Sequence, residues 1–413
     1  MRCWRGAWRA GRAAGWGRPI SRGAMRTVES QLADIRSRSL LRQLRTIETA
    51  QQPETVCDGR ALINFSSNDY LGLAADPILR EAAKACIDKW GVGAGASRLV
   101  CGGLEPHAQL ERDLAAFKRT EAALAFSSGY ATSVGTLSAL AGPEDVLILD
   151  KLVHASLIDG ARLSRATVRV YPHNHLGKLE SHLRWARETA PEGRIIVVTE
   201  SVFSMDGDRA PIEEIVAIKD RYGALLLLDE AHAIGVIGEG GRGLADKRGV
   251  SAKVDLQMGT LGKALGSAGG YICARRAVID LIINRARSFI YSTAPLPAAA
   301  AAASAAINFL QTPAGRERQE RLWARLGDFM REAPENLLAG PVRSAIVPLI
   351  LGDEEKAMAA SQWLKERGYL VPAIRYPTVS RGSARLRVTL SAAHTEEQVR
   401  GLCSALERLA VDG

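Results

Sequence analysis

Short runs of unbroken apolar residues punctuate this 413-residue chain, and stretches with helical periodicity separate them. They read AALAF (122–126), VLILD (146–150), VRVY (168–171), IIVVTES (195–201), LLLLDE (225–230) and GGYICA (269–274). A strand that is apolar at nearly every position is buried on both faces, which occurs where helices cover a largely parallel sheet. The expectation is therefore an α/β fold with a mostly parallel sheet flanked by helices. After QTPAGRERQ (311–319) the pattern changes. A charged helix, a strand near 345–351, a helix over 354–367, strands near 369–374 and 384–390 and a final helix over about 395–410 suggest a smaller α+β domain. The expected division is a basic extension (1–26), an N-terminal helix and arm (27–65), a large domain (66–305) and a small C-terminal domain (306–413). Within the arm, apolar spacing predicts a helix from Val28 to about Thr49.

The net charge of +9 invites a nucleic-acid reading, but residues 1–26 hold seven arginines and no acid. Removing that segment leaves about +2, so the basic balance belongs to a tail and no nucleic-acid partner is expected. The tail is arginine-rich like a transit peptide, yet poor in serine, with three tryptophans and no continuous apolar core. It reads as a disordered or mis-called extension, with a targeting segment or a functional arm as alternatives. No run approaches the roughly 18–20 apolar residues of a membrane span. Six scattered cysteines without a C-x-x-C pair argue against a zinc site or a disulfide framework, and fit a reducing cytoplasm.

Lys263 stands in MGTLGKALGSAGGY (258–271), where five of fourteen residues are glycine. A phosphate loop of the G-x-x-x-x-G-K-[ST] type fails, because Gln257 replaces the first glycine and Ala264 follows the lysine. GVGAG (91–95) fails as a dinucleotide fingerprint, since it follows a helical segment. Most lysines lie on the surface. The companions of Lys263 point elsewhere. LLLLDEAHAIG (225–235) delivers Asp229 and His232 at the carboxyl end of an apolar strand, where open α/β sheets bind their ligands.

Pyridoxal phosphate (PLP) calls for such a set: a lysine amine to anchor it and a carboxylate to keep its pyridine nitrogen protonated. Asp229 suits the second role, and His232 could bond the ring's phenolic oxygen. Glycines around Lys263 let the ring approach backbone, and Thr260 could offer a hydroxyl to the phosphate. FSSGYATSVGTLSAL (126–140) reads as strand, turn and helix start, placing Gly129 and Tyr130 where backbone N–H groups can receive a phosphate. His154, shortly after another strand, is a candidate acid–base group over the ring. His173 and His175 have ligand-like spacing but no accompanying constellation, and read as a surface loop; no metal is expected.

Taken in order, SSNDYLGL, SSGY, HAS, ESVFSMDGD, DEAHAIG and GTLGKALG resemble the α-oxoamine synthases, PLP enzymes of fold type I, over about residues 30–410. The resemblance implies a seven-stranded sheet, a homodimer, and decarboxylative joining of an amino acid to an acyl thioester. It implies Lys263 as the covalent cofactor anchor, Asp229 as the pyridinium partner, His232 as the phenolic-oxygen contact and His154 as the stacked histidine. Gly129, Tyr130, Ser204 and Thr260 match cofactor contacts. Arg387, with Asn68 beside it, matches the arginine that grips the amino acid's carboxylate; a guanidinium can do this with two parallel bonds. Arg385 could be a solvated strand residue. Thr378 and Arg42 match contacts to the acyl substrate, Arg42 being read in the arginine-rich N-terminal helix. VPAIRYPTVSRGSARLRVTLSAAHT (371–395) is most similar to members that take L-alanine and a pimeloyl thioester, on CoA or on an acyl carrier protein. Members using glycine and acetyl-CoA remain an alternative. So does a catalytically silent partner subunit, although such a subunit is expected to have lost the lysine.

Overall fold

The computed structural model describes residues 27–412, apart from Ser39 and Ala339. The expected basic extension lies outside the described residues. The chain divides into a unit ending at Leu44 and a unit from Arg45 onward.

In the first unit, helix α1 (Val28–Ser37) starts at Thr27, whose hydroxyl accepts the Ser30 amide at 3.1 Å. None of its residues is buried. The helix expected to reach Thr49 thus stops twelve residues early, and Arg42 stands beyond it in exposed, non-helical chain. The reason is visible in the second unit. The Glu48 amide bonds the Val56 carbonyl at 2.9 Å and Asp58 returns a bond to Thr46 at 3.0 Å, so these residues are committed to strand-like pairing.

The second unit begins with the hairpin β1 (Glu54–Cys57) and β2 (Arg60–Asn64). Helices α2 (Pro77–Trp90) and α3 (Glu105–Lys118) follow. Seven strands then form the main sheet: β3 (Ala122–Phe126), β4 (Val146–Asp150), β5 (Thr167–Tyr171), β6 (Ile195–Glu200), β7 (Leu225–Asp229), β8 (Leu256–Thr260) and β9 (Gly270–Ala274). Their order is β3-β9-β8-β7-β6-β4-β5, with β9 alone antiparallel to its neighbours. Between β3 and β7 lie α4 (Gly129–Leu140), α5 (Ala155–Ser164), α6 (Leu176–Thr189) and α7 (Ile212–Arg221).

The apolar runs explain the layering. Val146, Ile148, Ile195, Val197, Leu226 and Leu228 pack into one core, whereas Leu147, Leu149, Ile196, Val198 and Leu227 pack into another. Alternate side chains point to opposite faces of a strand, so the two cores lie on the two sides of the sheet. Each fully buried leucine or valine contributes roughly 1.5–3 kcal/mol, which is why both faces need covering helices.

At the far end of the chain, β10 (Ile346–Gly352), β12 (Ala373–Ile374) and β13 (Ala384–Thr389) form an antiparallel sheet in the order β10-β13-β12. β11 (Tyr369–Leu370) instead joins the β1–β2 hairpin, running parallel to β2. The β1–β2 hairpin is thereby tied to residues some 300 positions away. Among the described residues, no helix is long and apolar enough to cross a membrane.

Candidate active site

The parallel strands deliver their last residues to one edge of the sheet, and three of these are carboxylates: Asp150, Glu200 and Asp229. Glu200 and Asp229 are register partners on neighbouring strands, and both are buried. Burial raises the Asp229 carboxyl, which the nearby Lys263 amine and a 2.9 Å bond from the Ala231 amide partly offset. Burial also lifts Glu200 well above the ordinary range, and the Asp229 charge pushes it further.

Lys263 follows β8 in a tight turn, with its amine 2.8 Å from Nε2 of His232. Burial lowers that amine to about 8, against the attraction of Asp229 and Glu200, and the Arg387 charge lowers it further. Burial likewise holds His232 well below its usual value, helped by the Lys263 charge, so its ring is neutral. A neutral ring that accepts from Lys263 at Nε2 carries its proton on Nδ1. Nδ1 then donates to the Tyr70 hydroxyl at 2.5 Å. Tyr70 in turn donates to Oδ1 of Asn68 at 3.2 Å, and the same oxygen accepts Nη2 of Arg387 at 3.1 Å. One hydrogen-bond chain therefore runs from the lysine to the arginine.

Arg387 is buried on β13, where Nε donates to the Ser204 carbonyl at 2.7 Å and Nη1 to the Thr389 hydroxyl at 3.0 Å. With the Asn68 bond, one N–H of each guanidinium nitrogen is engaged. A guanidinium can hold a carboxylate by two parallel N–H···O bonds.

The other expected residues are placed as follows. His154 caps α5 from an exposed position, with Nδ1 2.8 Å from the Ser156 hydroxyl and its amide 2.5 Å from Glu200. Burial of its ring lowers its affinity for a proton, with Asp229 opposing. Gly129 and Tyr130 open α4 behind the Ser128 cap, in the first turn, whose amides have no helical carbonyl to bond. The Tyr130 side chain turns outward to Asp159, at 2.9 Å. Thr260 donates to the Gly269 carbonyl at 3.0 Å and accepts the Gly262 amide at 3.2 Å. Thr378 lies in an exposed turn between β12 and β13.

One expectation is extended and one corrected. His173 lies in a surface turn as expected, but its ring is held there, 3.0 Å from Asp150 and 2.8 Å from Asp208. Burial opposes its charge, but those two hydrogen bonds outweigh it and raise the imidazole to about 10. Arg385 is not solvated; it is buried and bonds Asp206 at 2.7 Å. His175 caps α6, its Nδ1 accepting the Lys178 amide at 3.2 Å. Among the described residues, no His, Cys, Asp and Glu group is placed to hold a metal ion.

Sequence reasoning assigned no role to Glu200, Tyr70 or Thr389. The signal for Glu200 was available, because it ends IIVVTE just as Asp229 ends LLLLD.

A model of the family "Aminotransferase class I and II" matches residues 60–406. The chain belongs to that family. Its fold is that of the fold-type-I PLP transferases. A curated relative from Geobacter sulfurreducens, named 8-amino-7-oxononanoate synthase, is 46% identical over 387 residues, which cover 93% of this chain and 98% of the relative. A serine palmitoyltransferase from S. paucimobilis with bound PLP–myriocin superposes with a TM-score of 0.86 at 29% identity, covering 93% of this chain and 97% of that one. The 8-amino-7-oxononanoate synthase of Francisella tularensis gives a TM-score of 0.72 at 29% identity, covering 85% and 97%.

The residues present fit a PLP molecule. A Cβ on Gly270 would sit 2.7 Å from both N and Cα of Gly129, so backbone passes closely at the start of α4, where a phosphate is received. A buried carboxylate and a lysine amine lowered by burial complete the donor set.

Proposed function

We propose that the chain is an 8-amino-7-oxononanoate synthase, a PLP-dependent C-acyltransferase that joins L-alanine to a pimeloyl thioester with loss of CO2 and free thiol. The observation that carries this reading is the single hydrogen-bond chain from Lys263 through His232, Tyr70 and Asn68 to Arg387. It puts a base and a carboxylate grip at the two ends of one rigid, buried network. The 46% identity to a relative of that name supports alanine and a pimeloyl thioester over glycine and acetyl-CoA.

Lys263 would hold the cofactor covalently. Asp229 would face the protonated ring nitrogen, with His232 and Thr260 as polar contacts and the first-turn amides of Gly129 and Tyr130 receiving the phosphate. When bound, PLP supplies an electron sink for the pair left behind at an amino acid's Cα. The chain's own groups do the rest. Arg387 takes the alanine carboxylate through its guanidinium and fixes the orientation of Cα. The Lys263 amine accepts the Cα proton at Nζ, and lowering to about 8 gives it a far larger neutral fraction near pH 7 than an ordinary lysine has. His154, whose affinity for a proton is lowered by desolvation, is the proposed group to return a proton or to bond a developing oxyanion. Arg42 and Thr378 are proposed contacts to the acyl donor, which rides on CoA or on a carrier protein.

A homodimer is part of the proposal. The loops 91–103 and 291–297 are stitched together by a Ser97–Thr293 bridge and a 3.0 Å bond from Ala294 to Ala96. They expose Leu99, Val100, Tyr291 and Leu296, a set of large apolar side chains suited to a second copy. Sedimentation of a fully active monomer would contradict it. The activity is tested by thiol release from the PLP-loaded protein, with L-alanine plus pimeloyl-CoA against glycine plus acetyl-CoA. Release with the first pair alone is expected; release with the second alone would overturn the pathway while keeping the family.

A further inference from the structure

Residues 202–209, VFSMDGDR, form a tight hairpin between β6 and α7. Val202 pairs with Arg209, the Phe203 amide bonds the Asp208 carbonyl at 3.1 Å, and the Gly207 amide bonds the Phe203 carbonyl at 2.9 Å. Its Ser204 carbonyl is the acceptor that holds Nε of Arg387. Whatever fixes the hairpin therefore fixes the guanidinium.

It is held from two sides. On the side of the main sheet, the His173 ring bridges Asp208 on the hairpin and Asp150 at the end of β4. Both ring nitrogens face carboxylate oxygens, so both carry protons and the ring is a cation. The ring also stands edge-on to Phe203 at 4.3 Å, and Asn174 adds a 3.1 Å bond to Asp208. On the side of the C-terminal sheet, Arg385 donates to Asp206 at 2.7 Å and to the Met205 carbonyl at 3.2 Å. The Ser344 hydroxyl donates to the Gly207 carbonyl at 2.8 Å. Gly207 has φ +66°, and a Cβ there would collide with the Ile346 carbonyl oxygen, so the contact is backbone to backbone. Arg385 and Arg387 are two residues apart on β13 and so share one face. One binds the hairpin outright, and the other uses it as a support.

We propose that His173 and Arg385 are positioning residues for Arg387, clamping the 202–209 hairpin so that its Ser204 carbonyl aims the guanidinium at the amino acid's carboxylate. The proposal deepens the functional reading above and rests on it for the identity of the ligand. The clamp is made of charge-assisted bonds, and losing one loosens the support without removing Arg387 itself.

The experiment compares His173→Gln, Asp208→Asn and Arg385→Lys with the wild type, all loaded with PLP. The expected result for each is a KM for L-alanine raised about tenfold, the scale of one lost charge-assisted bond. The change in kcat stays within about threefold, and the KM for pimeloyl-CoA is unchanged. His173→Gln and Asp208→Asn share the His173–Asp208 bond, so the double variant is expected to lose less than the sum of the two single ones. Amide hydrogen exchange over residues 203–208 is expected to quicken in every variant. Wild-type alanine KM in all three overturns the proposal, as does a uniform loss in both KM values and kcat that tracks thermal unfolding. Should His173→Gln fail to fold, Arg385→Lys on the opposite side decides by the same criteria. Should the wild type release no thiol from alanine and pimeloyl-CoA, the functional reading has failed. The exchange data then decide the clamp alone, and unchanged exchange in the variants overturns it.

Discussion

Nδ1 of His232 lies 2.5 Å from the hydroxyl of Tyr70, at the centre of the chain that connects Lys263 with Arg387. Tyr70 is fully buried, and burial pushes its phenol up to about 12, with the Arg387 charge opposing. It therefore stays protonated and passes direction along the network, accepting from His232 and donating to Asn68. Removing the hydroxyl leaves His232 Nδ1–H without a partner in a buried place. Tyr70→Phe is expected to lower kcat/KM for L-alanine about tenfold and to destabilise the protein by about 1–3 kcal/mol. Steady-state kinetics and urea unfolding check both, and an unaltered kcat/KM would show that the network is incidental.

The value of about 8 for Lys263 makes a claim about the cofactor-free chain. Only the neutral amine attacks the PLP aldehyde, so the rate of covalent association follows the neutral fraction. It is expected to rise about tenfold per pH unit below pH 8 and to level off above it. An exposed lysine would keep rising to about 10.4. Stopped-flow absorbance between pH 6 and 10 distinguishes the two curves.

Most of the strands were legible because they are apolar runs, and Ala122–Phe126, Val146–Asp150 and Ile195–Glu200 match their runs within a residue; β5, at the edge of the sheet, is exposed at four of its five positions. β8 was not foreseen as a strand, since Gln257 and Gly259 interrupt it. Both are accommodated by tertiary contacts: Gln257 donates to the Ser251 carbonyl at 3.2 Å, and Gly259 makes room for the Tyr271 hydroxyl. The parallel pairing of β2 with β11 spans some 300 residues, and no local pattern encodes it. At the site, Lys263, Asp229, His232 and Arg387 carry motif neighbours that mark them; the structure joins Lys263, His232 and Arg387 in one hydrogen-bond network and sets the Asp229 charge near Lys263. The hold on His173 was not legible because its partners, Asp150 and Asp208, stand 23 and 35 positions away in sequence. Arg385 was misread because a strand arginine gives no local sign of whether its face is covered.

His394 offers a clean titration away from the site. Its ring stacks on Phe65 at 4.2 Å, Nδ1 accepts the Ser391 amide at 2.9 Å, and Nε2 donates to the Asn64 carbonyl at 3.0 Å. Burial lowers it from 6.5 to about 4, with those backbone bonds opposing. Between these values the unfolded chain binds a proton that the folded chain refuses, so stability falls as pH drops through about 6.5 and stops falling near 4. From pH 7 to pH 5 the wild type is expected to lose about 2 kcal/mol more than His394→Gln, which lacks the titrating group. Urea unfolding at the two pH values measures the difference; equal losses would mean that His394 charges freely in the folded state.

Gly270 lies against the head of α4, the place proposed for the cofactor's phosphate. A Cβ there would stand 2.5 Å from the Thr132 hydroxyl and 2.7 Å from N and Cα of Gly129, with backbone as the obstacle. The start of α4 would have to shift, moving the first-turn amides of Gly129 and Tyr130 away from the place a phosphate occupies. Gly270→Ala is therefore expected to cost about 1–3 kcal/mol of stability through overpacking. It should also weaken PLP binding about tenfold or more, since each 1.4 kcal/mol lost at the phosphate is a factor of ten. Free phosphate in excess is expected to slow PLP uptake by the wild type and to do so less in the variant. Tight PLP binding by Gly270→Ala at unchanged phosphate sensitivity would place the phosphate elsewhere than at the head of α4.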